Sequence, residues 1–226
     1  MVLGLQPGTY SFTATTPLVS ECTNSVVANT FSGNARVLPA LRTSNPVLNA
    51  ASFDTTVAAG SYVALFGAAL SDPGNIDVPN DTTRLPLAID YVNVSFDVPS
   101  AGISVPGHLT YVSPTQVNVQ VPWELQGQTS AFVKVTIDYS PGNVVTVPIQ
   151  AYAPGLFEWT PGVVAALAGG TNAILNQANP ATHGTVVNIY ANGLGPVNNQ
   201  PASGESAPAS GNPACNTTSA VTVKIG

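Results

Sequence analysis

The chain repeats itself and stops before the repeat is finished, which limits the folds that can satisfy it. Val47-Leu48-Asn49, then Gly60-Ser61-Tyr62-Val63-Ala64-Leu65-Phe66 with Leu70, recurs as Ile174-Leu175-Asn176, then Gly184-Thr185-Val186-Val187-Asn188-Ile189-Tyr190 with Leu194. Val92-Asn93-Val94-Ser95-Phe96 likewise matches Val221-Thr222-Val223-Lys224-Ile225. Beyond that match the first copy continues through Leu109 to Val121 and further, whereas the second has reached Gly226. The nearest internal relative of the missing part is at the amino terminus. There Leu3-Gly4-Leu5-Gln6-Pro7-Gly8-Thr9-Tyr10-Ser11-Phe12-Thr13-Ala14 has the same order as residues 109–121: a short apolar piece, a turn with Pro, then alternation. Unpaired strand edges and open apolar faces are costly. The amino-terminal segment is therefore expected to complete the carboxy-terminal unit, either its own or a neighbour's; the third alternative is an excerpt of a longer product in which residues 1–16 close a preceding domain.

Helical periodicity is almost absent. Apolar residues alternate over residues 92–96, 117–121, 132–137 and 186–190, with β-branched side chains and Tyr predominant. Turn chemistry separates them at Asp72-Pro73-Gly74-Asn75, Ser113-Pro114-Thr115, Ser140-Pro141-Gly142-Asn143 and Asn192-Gly193. This spacing predicts an all-β chain with two immunoglobulin-like β-sandwich domains in tandem. Residues 1–44 form an amino-terminal strand segment, residues 45–159 the first sandwich, and residues 160–226 a second, incomplete one. In the first sandwich Val117, Val119 and Val121 share the buried face, and residues 132–139 pair with 144–151. The second contains strands near residues 173–176, 185–191 and 220–225, with a long surface loop over 198–218.

Charge excludes several functions. Charged residues make up 7% of the 226, against roughly 25% in an average soluble domain. The net charge is −6 and the five basic residues are scattered singly, so no run of phosphates can be neutralised and nucleic acid is not an expected partner. No apolar run approaches the roughly 20 residues that span a bilayer, so membrane insertion is not expected. No basic region followed by an apolar core marks a secretory signal, so a signal has been removed or the chain is a portion of a longer product. Cys22 and Cys215 lie in no metal-type or redox-type pair. They read as one disulfide in an oxidising compartment, with two unpaired thiols as the alternative.

No catalytic constellation is present. His108 and His183 are the only histidines, neither lies beside a nucleophile, and Gly193-Leu194-Gly195-Pro196 lacks the serine of a nucleophile elbow. The chain is read as a non-enzyme with no cofactor. The loop from Asp72 to Asp81 offers Asp72, Asp77 and Asp81 as a weak calcium candidate, although its spacing is not that of an EF-hand. Asn80 and Asn216 stand in sequons within predicted loops, and Asn93 stands in one on a predicted strand. Tyr62, Tyr91, Tyr111, Tyr139, Tyr152 and Tyr190 read as core or sheet-surface residues, while Trp123 and Trp159 read as packing residues at the interdomain junction or a subunit contact.

Five blocks, in order, carry a resemblance: Asn49-Ala50-Ala51-Ser52-Phe53, the strand ending Val63-Ala64-Leu65-Phe66-Gly67, residues 111–125, Ala153-Pro154-Gly155-Leu156-Phe157 and residues 189–196. Over residues 46–226 the chain resembles a repeat family of secreted multidomain proteins first recognised in acidobacteria of the Solibacter type. The resemblance implies secretion and paired immunoglobulin-like units at the carboxy terminus. It implies no catalytic residue.

Together these features lead to the expectation of a structural extracellular or cell-surface protein, a filament or surface-layer subunit whose partners are copies of itself, joined head to tail by strand addition. Leu3, Leu5, Tyr10, Phe12 and Ala14 would donate; Val221, Val223 and Ile225 would accept. The alternative is a cell-surface adhesin or carbohydrate-binding module of a larger secreted protein, with surface glycans as partner.

Overall fold

A computed structural model of the chain describes residues 10–19, 26–35, 37–78, 83–208 and 213–224, the first two stretches by their backbone. The chain divides into two compact units, residues 1–38 and 39–226. In the first, β1 (Tyr10–Val19) and β2 (Val26–Ala35) form an antiparallel ladder from Tyr10↔Ala35 to Val19↔Val26. Opposed residues share a face and the side-chain period is two. The register therefore places Tyr10, Phe12, Ala14, Thr16 and Leu18 with Val27, Asn29, Phe31, Gly33 and Ala35 on one face, and Ser11, Thr13, Thr15, Pro17 and Val19 with Val26, Ala28, Thr30, Ser32 and Asn34 on the other.

The second unit is built on two sheets. Strands β3 (Ala40–Leu41), β4 (Val47–Asn49), β6 (Tyr62–Ala68), β7 (Ile76–Asp77), β10 (His108–Val112) and β11 (Gln116–Gln120) make one sheet in the order β3-β6-β11-β10-β7, with β4 also on β6. The other has the order β5-β13-β12-β8-β9 and comprises β5 (Val57–Ala58), β8 (Val92–Val98), β9 (Ile103–Pro106), β12 (Ser130–Ile137) and β13 (Ser140–Gln150). β5 runs parallel to β13 and every other pairing is antiparallel. Val63, Leu65, Val117 and Val119 of the first sheet share one core with Val92, Val94, Phe96 and Val133 of the second. Among the described residues there is no α-helix, only 3-10 turns at Pro99–Ala101 and Trp123–Leu125.

Alternation in β8 and β12 appears as alternating burial, as the sequence predicts. The hairpin between β12 and β13 differs from expectation. It turns at Asp138 and Tyr139, at φ 46° and 63°, two residues before Ser140-Pro141-Gly142-Asn143. Positive φ at both central residues gives the twist that favours a two-residue hairpin loop. The Pro-Gly stretch is instead absorbed in β13 where the register shifts. There Asn143 accepts from the Leu41 N–H at 2.7 Å and donates to the Leu41 carbonyl at 3.0 Å, so its amide pairs with the backbone of β3 as a strand would.

Residues 152–224 contain shorter pieces: β14 (Gly155–Leu156) with β19 (Ala191–Asn192), β15 (Glu158–Thr160) with β16 (Val163–Val164), and β17 (Ala166–Ala168) with β18 (Val187–Ile189). The expected strand at 173–176 is reduced to single bridges, Leu167↔Ile174 and Asn176↔Asn179. The expected strand at 220–225 is not formed over the described residues 220–224. The repeat survives in local chemistry. Asn49 Oδ1 accepts from the N–H groups of Ala51 and Ser52, and Asn176 Oδ1 accepts from those of Ala178 and Asn179.

Candidate assembly surface

Residues 152–224 sit on the finished sandwich through polar contacts. Asn49 is fully buried, and its Nδ2 donates to the Ala153 carbonyl at 2.7 Å. Asn192 reaches the same place from β19. Its Nδ2 donates to Asn49 Oδ1 and to the Tyr62 carbonyl, each at 2.8 Å, and its Oδ1 accepts from the Tyr62 N–H at 2.9 Å. The two amides thus join β4, β6, the segment after β13 and β19 without burying a charge.

A second clasp closes at residues 203–205. Ser203 Oγ donates to Glu124 Oε2 at 2.7 Å and accepts from the Trp123 N–H at 2.9 Å. The Gly204 N–H donates to Gln120 Oε1, and its carbonyl accepts from the Leu85 N–H. Gly204, at φ +81°, lies so close to His108 that a Cβ would overlap the imidazole. This contact buries both Gln120 and His108. Alternation along β11 had placed Gln120 outside, and a second covered face cannot be read from period two alone.

His108 is 4% exposed, and neither ring nitrogen has a hydrogen-bond partner among the described residues. Burial pushes its pKa below the ordinary 6.5 and the charge of Arg84 lowers it further, against weaker opposite pulls from Glu124 and Glu205. The unfolded chain, with a histidine near 6.5, takes up its proton first as pH falls. Stability is therefore full above about 6.5 and declines below it until the folded-state pKa is passed. Urea unfolding at pH 7.5 and pH 5 is expected to show this loss in the parent and a smaller one in His108→Leu. An equal loss in both would assign the effect to other groups.

The opposite character of the two halves is plain from burial. Large apolar side chains of residues 41–149 are buried in quantity, whereas among the described residues after 152 the only buried apolar side chains are Ala153 and Ala165. Val186 is 71% exposed, Ile174 51%, and Val221 and Val223 50% each. Pro154, Leu156, Ile189, Leu194, Val221 and Val223 line a groove of about 390 Å³. None of residues 220–224 makes a backbone hydrogen bond among the described residues.

The structure brings together Val221 and Val223 in this groove and sets Tyr10, Phe12 and Ala14 on one face of the separate hairpin. Leu3, Leu5 and Ile225 lie outside the described residues, as do Asp81, Asn80 and Cys22. Cys215 carries a free thiol that donates to the Asn199 carbonyl at 3.1 Å, and the Cys22–Cys215 pairing gains no support. Asp72 and Asp77 belong to no cluster of metal-ligating side chains among the described residues. Asn216 is exposed, and Asn93 lies within β8 and is partly buried. None of the described Tyr side chains is buried. Trp123 packs against the sandwich core beside Gly60, at φ +76°, where a Cβ would overlap the indole. Trp159 is 47% exposed. His183 is exposed. No helix among the described residues is long and apolar enough to cross a membrane. Reasoning from sequence missed β2, Asn143 and the Asn49–Asn192 amide pair. The last had a signal, since Asn49 and Asn192 fall inside conspicuous blocks of the repeat. The chain matches no protein-family model, no curated protein and no solved structure.

Proposed function

We propose that the chain is a structural extracellular protein, a subunit of a filament or surface layer that assembles head to tail by β-strand addition. The observation that carries this reading is the lopsided burial of residues 39–226, in which one half has an extensive core and the other has none of its large apolar side chains buried among the described residues. A half with so little buried apolar surface, in which residues 220–224 make no backbone hydrogen bond among the described residues, has the character of an acceptor for an added strand. The strand order supports an immunoglobulin-like first domain: β4, β6, β11 and β10 in one sheet, and β5, β13, β12, β8 and β9 in the other, with β5 parallel to β13. A family of secreted repeat proteins of the Solibacter type remains the resemblance this reading is consistent with. A contact between two different patches of the subunit does not close on itself unless its rotation forms a ring, so it builds a fibre.

Deleting residues 1–16 tests the reading. Electron micrographs of the intact protein are expected to show fibres, and those of the deleted protein dispersed particles whose sandwich melts cooperatively as before. Fibres from the deleted protein would defeat strand donation by this segment.

One observation favours a second reading, a carbohydrate-binding surface. Trp159 borders an open pocket of about 630 Å³ with Thr160, Asn176 and Gln177, and an exposed indole beside amides and a hydroxyl is a surface on which a sugar ring can stack. Dispersed particles from the intact protein that bind glycans, and lose them on Trp159→Ala, would favour it.

A further inference from the structure

We propose that the first sandwich carries a binding site for a short neutral saccharide, in a cleft of about 450 Å³ over the strands β6, β11 and β10, closed by Phe157, Leu85 and residues 204–206. The inference is independent of the assembly reading, and none of its residues lines the groove at Val221 and Val223 or the pocket at Trp159.

The floor comes from the central strands. Tyr62 of β6 and Asn118 of β11 stand next to Val63, Val117 and Val119, whose side chains fill the core, so by the two-residue period they face the other way. Thr110 joins them through an irregularity: the register of β10 on β11 shifts between Leu109 and Tyr111, which leaves Thr110 as the extra residue. A bulge of this kind re-aims a side chain, and Thr110 lines the cleft. The walls are fixed before any ligand arrives. The Gly204 N–H donates to Gln120 Oε1 at 2.7 Å, the Gly204 carbonyl accepts from the Leu85 N–H at 2.8 Å, and the Phe157 N–H donates to the Tyr190 carbonyl at 3.0 Å. A preformed cleft avoids much of the ordering cost that weakens binding.

The lining selects the ligand. Tyr62 is 37% exposed, and its hydroxyl has no hydrogen-bond partner among the described residues. It shares the cleft with a second aromatic ring, Phe157. A sugar ring offers such rings an apolar face of C–H groups, and its hydroxyls both donate and accept. The Asn118 amide, the Thr110 and Ser206 hydroxyls and the Glu205 carboxylate supply the matching groups. A wholly apolar ligand would leave them unpaired. Charge excludes anions. No Lys or Arg among the described residues lines the cleft, and its one charged side chain, Glu205, is paired with Arg84 at 3.8 Å. A ligand carboxylate, sulfate or phosphate would meet a carboxylate and no free cation.

Isothermal titration calorimetry of the intact chain tests the site with cellotriose, maltotriose and triacetylchitotriose, and with trigalacturonate as the anionic comparison. At least one neutral sugar is expected to bind with millimolar or tighter affinity, and trigalacturonate at least about tenfold more weakly. Tyr62→Ala is expected to weaken that sugar by about tenfold or more through loss of a stacked ring. Ser206→Trp, at an exposed position, fills the cleft from its wall and should abolish binding while leaving thermal melting unchanged. Trp159→Ala should leave the affinity as it is. The site is overturned if no neutral trisaccharide binds at millimolar concentration, if trigalacturonate binds as tightly as the neutral sugars, or if binding survives both Tyr62→Ala and Ser206→Trp. It is overturned equally if Trp159→Ala alone removes binding, which assigns the sugar to the other pocket. Fibres in the same sample, or their absence, bear only on the assembly reading.

Discussion

Val119→Asp is expected to remove more than about 4 kcal/mol of stability, which for a domain of ordinary stability leaves little folded protein. Val119 is fully buried on β11, paired with Val63 of β6 and Leu109 of β10. It lies in the same core as Phe96 and Val133 of the other sheet. A carboxylate there has no cation to meet and no route to water, so it must either stay charged at a large desolvation cost or take up a proton. Val119→Ala separates the two contributions, because it leaves only a cavity and should cost roughly 2 kcal/mol. Urea unfolding followed by Trp fluorescence measures both. A loss below about half a kcal/mol for the Asp variant would contradict the register of β11.

Asn49→Leu is expected to cost about 3 kcal/mol or more, although it replaces a polar residue in a buried place with an apolar one. The substitution leaves the Ala153 carbonyl and the N–H groups of Ala51 and Ser52 without the Asn49 partner they have now, and removes one of the three hydrogen bonds of the Asn192 amide, which keeps its two to Tyr62. A buried group left unpaired costs its full desolvation, which outweighs the gain in apolar area. Asn192→Ala should cost less on top of Asn49→Leu than alone, since the two amides share one network, and the coupling should reach about 1 kcal/mol. Limited proteolysis gives a second readout, with cleavage shifting to residues 152–224 when the amides are lost. Additive costs would mean that the two asparagines act independently.

The first sandwich was legible in the sequence to the degree that its physics is local. Period-two alternation in β8 and β12 is enforced by one buried face, and both strands lie where the pattern puts them. The turn between β12 and β13 was less legible. Pro141 and Gly142 are strong turn formers, but the I′ geometry fell to Asp138 and Tyr139, and the pair became an irregularity beside β3. That choice depends on Asn143 meeting Leu41, 102 residues away, which no local pattern encodes. Gln120 and His108 are buried by residues 203–205 for the same reason. β2 escaped notice because Asn29, Ser32, Gly33 and Asn34 interrupt its apolar pattern, and only the cross-strand register shows which residues share a face. Of the candidate site, Val221 and Val223 could be found through the repeat, whereas the groove they line depends on β14 and β19.

The uneven burial within residues 39–226 also fixes an order of events in time. All of the large core side chains among the described residues lie between Leu41 and Ile149, so everything needed to close the first sandwich is synthesised before residues 152–224 are, and domains close as units as they emerge. The later half then meets a completed surface and is held there by amides and hydroxyls rather than by a core of its own. Of residues 39–226, the part made later is the part least committed to its own chain.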